Sequence, residues 1–144
     1  MKYSHKVRIK YVDFDDVKLA FHQYSFISFL TKFQPVKILS WDGIESGKKA
    51  KFKFWFFGWK HLTVCHEKYI NTNSKLSFYD KGVDLPMGII FWNHFHSVSQ
   101  NGDEVYIEDL FEYRHKSKIV EMMLYPAMIA PIVVRKVTYK LFFK

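Results

Sequence analysis

Apolar and polar residues alternate from the start of the chain. Over residues 2–12, Tyr3, His5, Val7, Ile9 and Tyr11 fall on one face and Lys2, Ser4, Lys6, Arg8 and Lys10 on the other. A period of two is that of a strand buried on one side, so the first element is read as a strand with a basic outer face. The period then lengthens. Asp15 stands where a helix N-cap would, ahead of Val17, Ala20, Phe21 and Tyr24 at helical spacing. A second short helix is predicted over residues 25–33, with Phe26, Phe29, Leu30 and Phe33 on one side. Pro35 ends it by biasing Gln34 towards an extended backbone.

Strand and turn signals dominate from Val36 onward. Strands are predicted over residues 36–41, 48–57, 59–70, 75–79, 88–99 and 104–114. Asp42-Gly43, Ser46-Gly47, Gly58, residues 71–74 and Asp80-Lys81-Gly82 mark the breaks, and Asn101-Gly102 between two alternating runs is a strong hairpin signal. In the tail, Ile129, Val133, Val137 and Leu141, flanked by Ala130, Val134, Thr138 and Phe142, form a broad apolar helix face beside a row of Lys136, Lys140 and Lys144. Pro126 and Pro131 suit the first turn of a helix better than its interior, so the helix is expected from about residue 130, with residues 119–125 as a loop or separate turn.

The predicted order is one strand, two short helices, six antiparallel strands and a long C-terminal helix. This is an α+β chain with a curved seven-stranded antiparallel sheet wrapped around that helix, the one large piece able to cover the sheet's apolar face. A helix about 10 Å across covers such a sheet only in part, which leaves room for a cavity. Its expected lining is Phe52, Phe54, Phe56, Phe78 and Trp92 from the strands and Val137 from the helix. Period-two aromatics would equally serve a filled core, and the spacing alone leaves both readings open.

Composition narrows the classes. The chain has 144 residues, 15 Phe, 9 Tyr and 4 Trp, with 22 Lys plus Arg against 14 Asp plus Glu. A single domain spanning residues 1–144 is expected, large enough to need no disulfide or metal staple. Cys65 is the only cysteine, so no internal bridge forms. The longest apolar run, residues 122–134, is interrupted by two prolines and falls short of the ~18 residues a membrane-spanning helix needs. Residues 1–11 offer no signal-peptide core, and the expected compartment is the cytoplasm. The net charge of +8 falls mainly on outer strand faces and one helix edge. A solvated exterior accounts for it, with peripheral contact to an anionic membrane as the next reading. No nucleic acid is expected, because the strand aromatics alternate with the lysines and face inward.

Residues 76–113 (LSFYDKGVDLPMGIIFWNHFHSVSQNGDEVYIEDLFEY) carry a recognisable pattern: F-x-D, a turn, W-x-H-x-H, a Gly-containing hairpin and D-x-x-x-Y. Phe78, Asp80, Trp92, His94, His96, Gly102, Asp109 and Tyr113 occupy those places, and Phe29-Leu30-Thr31 ahead of Pro35 is similar to a segment that follows the first helices. The chain therefore resembles the SRPBCC superfamily, the START-like or helix-grip proteins that include pollen-allergen-type proteins, lipid-transfer domains and aromatic polyketide cyclases. The likeness extends over nearly the whole chain. Leu85-Pro86-Met87-Gly88 and Asp103-Glu104 depart from the usual turn sequences, and the tail has two prolines where helix entry is smoother in the superfamily. The resemblance implies a helix-grip fold with an internal ligand cavity, and it leaves the ligand open because binders, carriers and enzymes share it.

Trp92, His94 and His96 are spaced by two and project from one strand face, with Asp109 on the adjoining strand of the hairpin. A structural hydrogen-bond network, orientation of a ligand and acid–base catalysis all remain compatible with them. No metal is expected, since two histidines need further ligands that the spacing does not supply. Cys65 and His66 point to opposite faces of a strand, which excludes a Cys–His dyad, and Cys65 is read as a small buried hydrophobe. No phosphate-cradling glycine loop or G-x-S-x-G elbow is present.

The expected function is the binding of a small hydrophobic molecule, aromatic or lipid-like, oriented by His94, His96, Asp109 and Tyr113, with no cofactor and no assigned catalytic residue. The alternative is an enzyme of the cyclase, dehydratase or hydrolase type acting on a hydrophobic polyketide-like substrate, with His94 or His96 as base. An interaction protein with a filled core is a third possibility, and the oligomeric state is left open.

Overall fold

The computed structural model describes residues 1–144. The alternating first segment forms β1 (Lys2–Ile9), and two short helices follow as α1 (Phe14–Phe21) and α2 (Tyr24–Thr31). The strands are β2 (Val36–Trp41), β3 (Lys49–Trp55), β4 (Trp59–Asn71), β5 (Lys75–Asp84), β6 (Ile89–Asn101) and β7 (Glu104–His115), and the chain ends in α3 (Lys118–Phe142). All seven strands join one sheet in the order β1-β7-β6-β5-β4-β3-β2, and every pairing is antiparallel. Because β1 and β2 sit at opposite edges, the segment carrying α1 and α2 must cross the width of the sheet. Five successive hairpins then bring the chain back to β1.

Local chemistry explains the boundaries. Asp13, two residues ahead of the expected cap, has an extended backbone and its carboxylate accepts from the Asp15 N–H, which starts α1. The Asn101-Gly102 hairpin forms as its sequence predicts, with Asn101 opposite Glu104 and Gly102 at φ +62°. Asp80-Lys81-Gly82 is not a turn. It lies inside β5, and Gly82 is there because a Cβ would come within 2.4 Å of a Leu85 methyl and 2.8 Å of the Trp92 Cβ. β3 ends at Trp55, so Phe56 lies in the loop and not on the strand. Phe57 (φ +52°) and Gly58 (φ +120°) reverse the chain there, and Trp55 pairs with Trp59.

α3 differs most from expectation. It begins at residue 118, capped by the Ser117 hydroxyl, which accepts from the Val120 N–H, and both prolines lie inside it. Pro126 and Pro131 cannot donate to the carbonyls of Met122 and Ala127, but both of those residues are exposed, so water can take the place of the missing donor. The packed face is also the opposite one. Leu124, Met128, Ile132 and Tyr139 are buried, whereas Val133, Val137 and Leu141 face solvent, with Val137 60 % exposed. Val137 therefore does not line the interior. Apolar residues occupy both sides of α3, and the inner side also carries Glu121 and Arg135, whose charges conceal it from a hydropathy pattern.

The interior divides along α3. The larger cluster gathers α1, α2 and Tyr139 over β1, β5, β6 and β7, with Phe14, Phe21, Phe26, Leu30, Phe78 and Ile107 at its centre. A second one packs Leu124, Met128 and Ile132 on Ile89, Phe111 and Tyr113. A small third one, Ala50, Leu62 and Val64, lies under β3 and β4.

Candidate functional site

Sheet register assembles a polar cluster under the C-terminal half of α3. β7 lies between β1 and β6, and Asp109 is directly opposite His5 on one side and His96 on the other. Asp80 on β5 is likewise opposite His66 of β4 and His94 of β6. Two carboxylates and four imidazoles from five strands thus meet on the inner face, and α3 lays Arg135 and Tyr139, one turn apart, over them.

Asp109 is fully buried and surrounded by donors. His5 Nε2 lies 3.0 Å and the Tyr139 hydroxyl 2.8 Å from Oδ2, while His94 Nε2 lies 2.9 Å and Arg135 Nη1 3.4 Å from Oδ1. Asp80 receives His66 Nδ1 at 2.6 Å and His96 Nε2 at 2.9 Å. Two buried nitrogens have no partner, His66 Nε2 and His96 Nδ1. The latter is 3.0 Å from Asp109 Oδ1 but out of line for a hydrogen bond.

Burial pushes the Asp109 carboxyl up, but the hydrogen bonds from His5 and His94, with the His96 ring close by, together outweigh it and hold the group well below the carboxylate range. Asp80 follows the same pattern, burial being outweighed by the charge of His96 and the hydrogen bonds from His66 and His96. The two central histidines separate. Burial and the neighbouring His96 charge lower His94 to about 4, whereas for His96 burial is outweighed by the Asp80 charge and the result is raised. Tyr139 is pushed well above its ordinary value, by burial first and then by the Asp109 charge. The Arg135 guanidinium, and a His96 ring that Asp80 draws towards its charged form, oppose the two carboxylates.

One side chain atom each from Asp80, His94 and His96 lies within 4.8 Å of the other two, close enough to reach a single cation. All three groups are already engaged in hydrogen bonds, and the Arg135 guanidinium adds positive charge beside them. The arrangement suits an internally paired network better than a metal centre.

A narrow, partly open space of about 20 Å³ adjoins the cluster between α2, the inner face of the sheet and α3. Its polar wall is His66, Asp80, His96 and Arg135, and Phe26, Leu30, Trp41, Phe52 and Phe78 are among its apolar lining. That is room for about one water molecule. Aromatic side chains occupy most of the gap expected between sheet and helix.

Of the residues singled out from sequence, Phe52, Phe78 and His96 border this space, and His94 and Asp109 stand behind them. Phe78 stacks on His96 with ring centres 4.8 Å apart. Phe54 and Trp92 pack with the small cluster under β3 and β4, and Trp92 meets Phe111 edge-on. Phe56 packs towards the N-terminal half of α3. Tyr113 is buried with its hydroxyl donating to the Glu121 carbonyl, so it fastens the first turn of α3. Cys65 is only half-buried and points away from His66, which is buried.

Sequence reasoning missed His5, His66, Asp80, Arg135 and Tyr139 as members of the cluster. The first three were detectable, since His5 alternates with Val7 and Ile9, Asp80 shares a face with Phe78, and His66 alternates with Leu62 and Val64. Arg135 and Tyr139 lie on the helix face that the apolar spacing did not select.

No family model matches the sequence, and neither does any curated protein. Solved structures do share the fold. A hypothetical protein from Helicobacter pylori is similar at a TM-score of 0.74 with 16% identity, over 100% of this chain and 88% of its own. Norcoclaurine synthase from Thalictrum flavum, in complex with dopamine and hydroxybenzaldehyde, gives 0.66 with 14% identity, over 99% of this chain and 85% of its own. A major latex-like protein from Panax ginseng gives 0.62 with 13% identity, over 96% and 95%. These likenesses are of fold: the chain has a helix-grip architecture, a curved seven-stranded antiparallel sheet against a long C-terminal helix.

Proposed function

We propose that the chain binds a small hydrophobic molecule, aromatic or lipid-like, between the sheet and α3. The ligand's apolar body lies among Phe26, Leu30, Trp41, Phe52 and Phe78, and one polar group meets His66, Asp80, His96 and Arg135. The observation that carries this reading is the pair of unpartnered ring nitrogens, His66 Nε2 and His96 Nδ1, on residues that wall the only polar part of the narrow space. A buried polar atom without a partner costs about 1–3 kcal/mol, so a ligand group that supplies one gains affinity there. An apolar pocket with a few convergent polar groups is the usual form of a small-molecule site. That a synthase of the same fold holds two small aromatic molecules supports the capacity of the architecture.

Binding requires the space to widen. Trp41, Ile27 and Phe52 are half-buried lining residues that take part in no hydrogen bond of the cluster, so their outward movement is the expected way in. Anilinonaphthalene sulfonate, an aromatic body with one anionic group, is a suitable probe. It is expected to bind with one-to-one stoichiometry in a fluorescence titration, and Ile27→Trp, which fills that way in, is expected to weaken it about tenfold. Absence of binding, or binding that Ile27→Trp leaves intact and Val137→Asp removes, rejects the reading.

A second reading, catalysis, rests on the separation of His94, lowered to about 4, from His96, which is raised. Adjacent groups driven apart in this way are suited to acid and base roles. Replacing both by Gln distinguishes the two. A binder keeps most of its affinity, while a catalyst keeps binding and loses turnover.

A further inference from the structure

The β3–β4 hairpin ends in Trp55-Phe56-Phe57-Gly58-Trp59. Only Phe56 turns back, packing against the cluster that joins the sheet to the N-terminal half of α3. Trp55, Phe57 and Trp59 are 52%, 83% and 44% exposed. Phe57 occupies the tip at φ +52°, a left-handed conformation that favours Gly or Asn and costs a bulky aromatic residue. Its ring meets only Phe56 and Trp55, with centres 5.0 and 6.1 Å away and within the tip itself, so folding gains little from an exposed ring placed there at that cost.

The tip-proximal parts of β2, β3 and β4 carry charge of one sign. No Asp or Glu occurs in residues 17–41 or 46–66, while Lys37, Lys51, Lys53 and Lys60 lie on these strands; Lys48, at the far end of the hairpin, pairs with Glu45. Lys37 and Lys53 each place their ammonium 5.0 Å from the centre of the Trp59 ring. Exposed Trp and Phe at a hairpin tip, flanked by lysines, combine the two attractions of an anionic bilayer, apolar insertion at the interface and headgroup charge. A second copy of the chain fits less well, since the same lysines would face each other. A nucleic acid also fits less well, since lysines already cover the Trp59 ring on which a base would stack.

We infer that the β3–β4 tip is a membrane-docking element that inserts Trp55, Phe57 and Trp59 into the headgroup region of an anionic bilayer, held by Lys37, Lys53 and Lys60. The outer face of α3 is a separate apolar surface and is not needed for this contact.

The test is co-sedimentation of the full chain with phosphatidylcholine vesicles, with and without about a third phosphatidylglycerol. Binding is expected only with the anionic lipid, to weaken as salt is raised, and to move tryptophan emission to shorter wavelength. Phe57→Asn suits the left-handed tip better than Phe, so it is expected to be at least as stable in urea and yet to bind the vesicles about tenfold more weakly. Lys53→Glu with Lys60→Glu is expected to abolish the preference for anionic lipid. The inference is overturned if anionic vesicles are not bound, if Phe57→Asn binds them as well as the unmodified chain, or if only Val137→Asp on α3 reduces binding. It is equally overturned if light scattering shows a dimer that Phe57→Asn dissolves, or if the tip binds an oligonucleotide and not the vesicles.

Discussion

Two buried polar clusters fasten α3 to the sheet, one under each half of the helix, and they differ in how their acceptors are satisfied. Under the N-terminal half, Glu121 accepts from the His115 N–H at 3.0 Å and from Lys118 at 3.1 Å, both within six residues of it, and the Met1 amino group lies at 3.3 Å. The His115 N–H, then the Lys118 ammonium and the Met1 amino group, overcome burial and bring the Glu121 carboxyl to about 2. No nitrogen or oxygen of that cluster is left over. Under the C-terminal half, Asp80 and Asp109 collect donors from five strands and α3, and two ring nitrogens remain unpaired beside a narrow space. A fastening can be local and complete. The other cluster spans the sheet and stays incomplete, which is what a site awaiting a ligand group needs and a fastening does not.

The largest expected effect separates the two carboxylates. Asp109→Asn puts an amide among His5, His94, Arg135 and Tyr139 and leaves the Arg135 charge buried without its partner, a loss of about 3–5 kcal/mol. Urea denaturation is expected to show it as a large fall in midpoint at unchanged slope. Glu121→Gln keeps a carbonyl oxygen for the His115 N–H, and the Lys118 ammonium it releases is exposed, so its midpoint is expected to fall much less. Equal losses would remove the distinction between the clusters.

The pH dependence comes next in size. His94 is lowered to about 4 from 6.5, so between those values the unfolded chain takes up a proton that the folded chain refuses. Stability therefore falls as pH drops through this window. His96 is raised and works in the opposite direction: its contribution is complete below 6.5 and is lost as pH rises through its folded value. Asp80 and Asp109, both lowered, contribute above about 4 and lose their contribution as pH falls further. His94→Gln, which retains an amide donor for Asp109, is expected to flatten the decline between pH 6.5 and 4. Urea midpoints across that range check it, and an unchanged decline would place the acid sensitivity outside the cluster.

The sequence disclosed the sheet more fully than the helix, for a physical reason. Strand periodicity needs only one apolar face; it puts Asp80 on the face of Phe78, and the pair His96 with Asp109 follows once the Asn101-Gly102 hairpin fixes the register. α3 has apolar residues on both sides, so its spacing could not say which side is packed. The answer lay in Glu121, Arg135 and Tyr139, residues that hydropathy assigns to solvent and that the sheet holds through paired charge. The prolines misled because their cost depends on whether the freed carbonyls reach water, which only packing decides. The size of the interior space was beyond any pattern, since it depends on the rotamers of rings such as Trp41, Phe52 and Phe78.

The smallest expected effects come from the tyrosine that α3 brings to one cluster and the tyrosine that the sheet brings to the other. Tyr139→Phe removes one of the donors on Asp109 Oδ2, leaving His5, and is expected to cost about 1 kcal/mol. Tyr113→Phe removes the donor on the Glu121 carbonyl, which keeps its place in the ladder of α3 because Tyr125, four residues on, has an N–H to give. Its cost is expected to be smaller. The two also differ in what else they change: the Tyr139 hydroxyl lies against Asp109 beside the Arg135 wall, so Tyr139→Phe should alter the affinity for anilinonaphthalene sulfonate, whereas Tyr113→Phe should leave it unchanged. Parallel urea and fluorescence titrations on the two variants read both differences. If both variants shift stability alike and neither shifts probe affinity, the unpaired nitrogens near Tyr139 belong to a second fastening and not to a binding site.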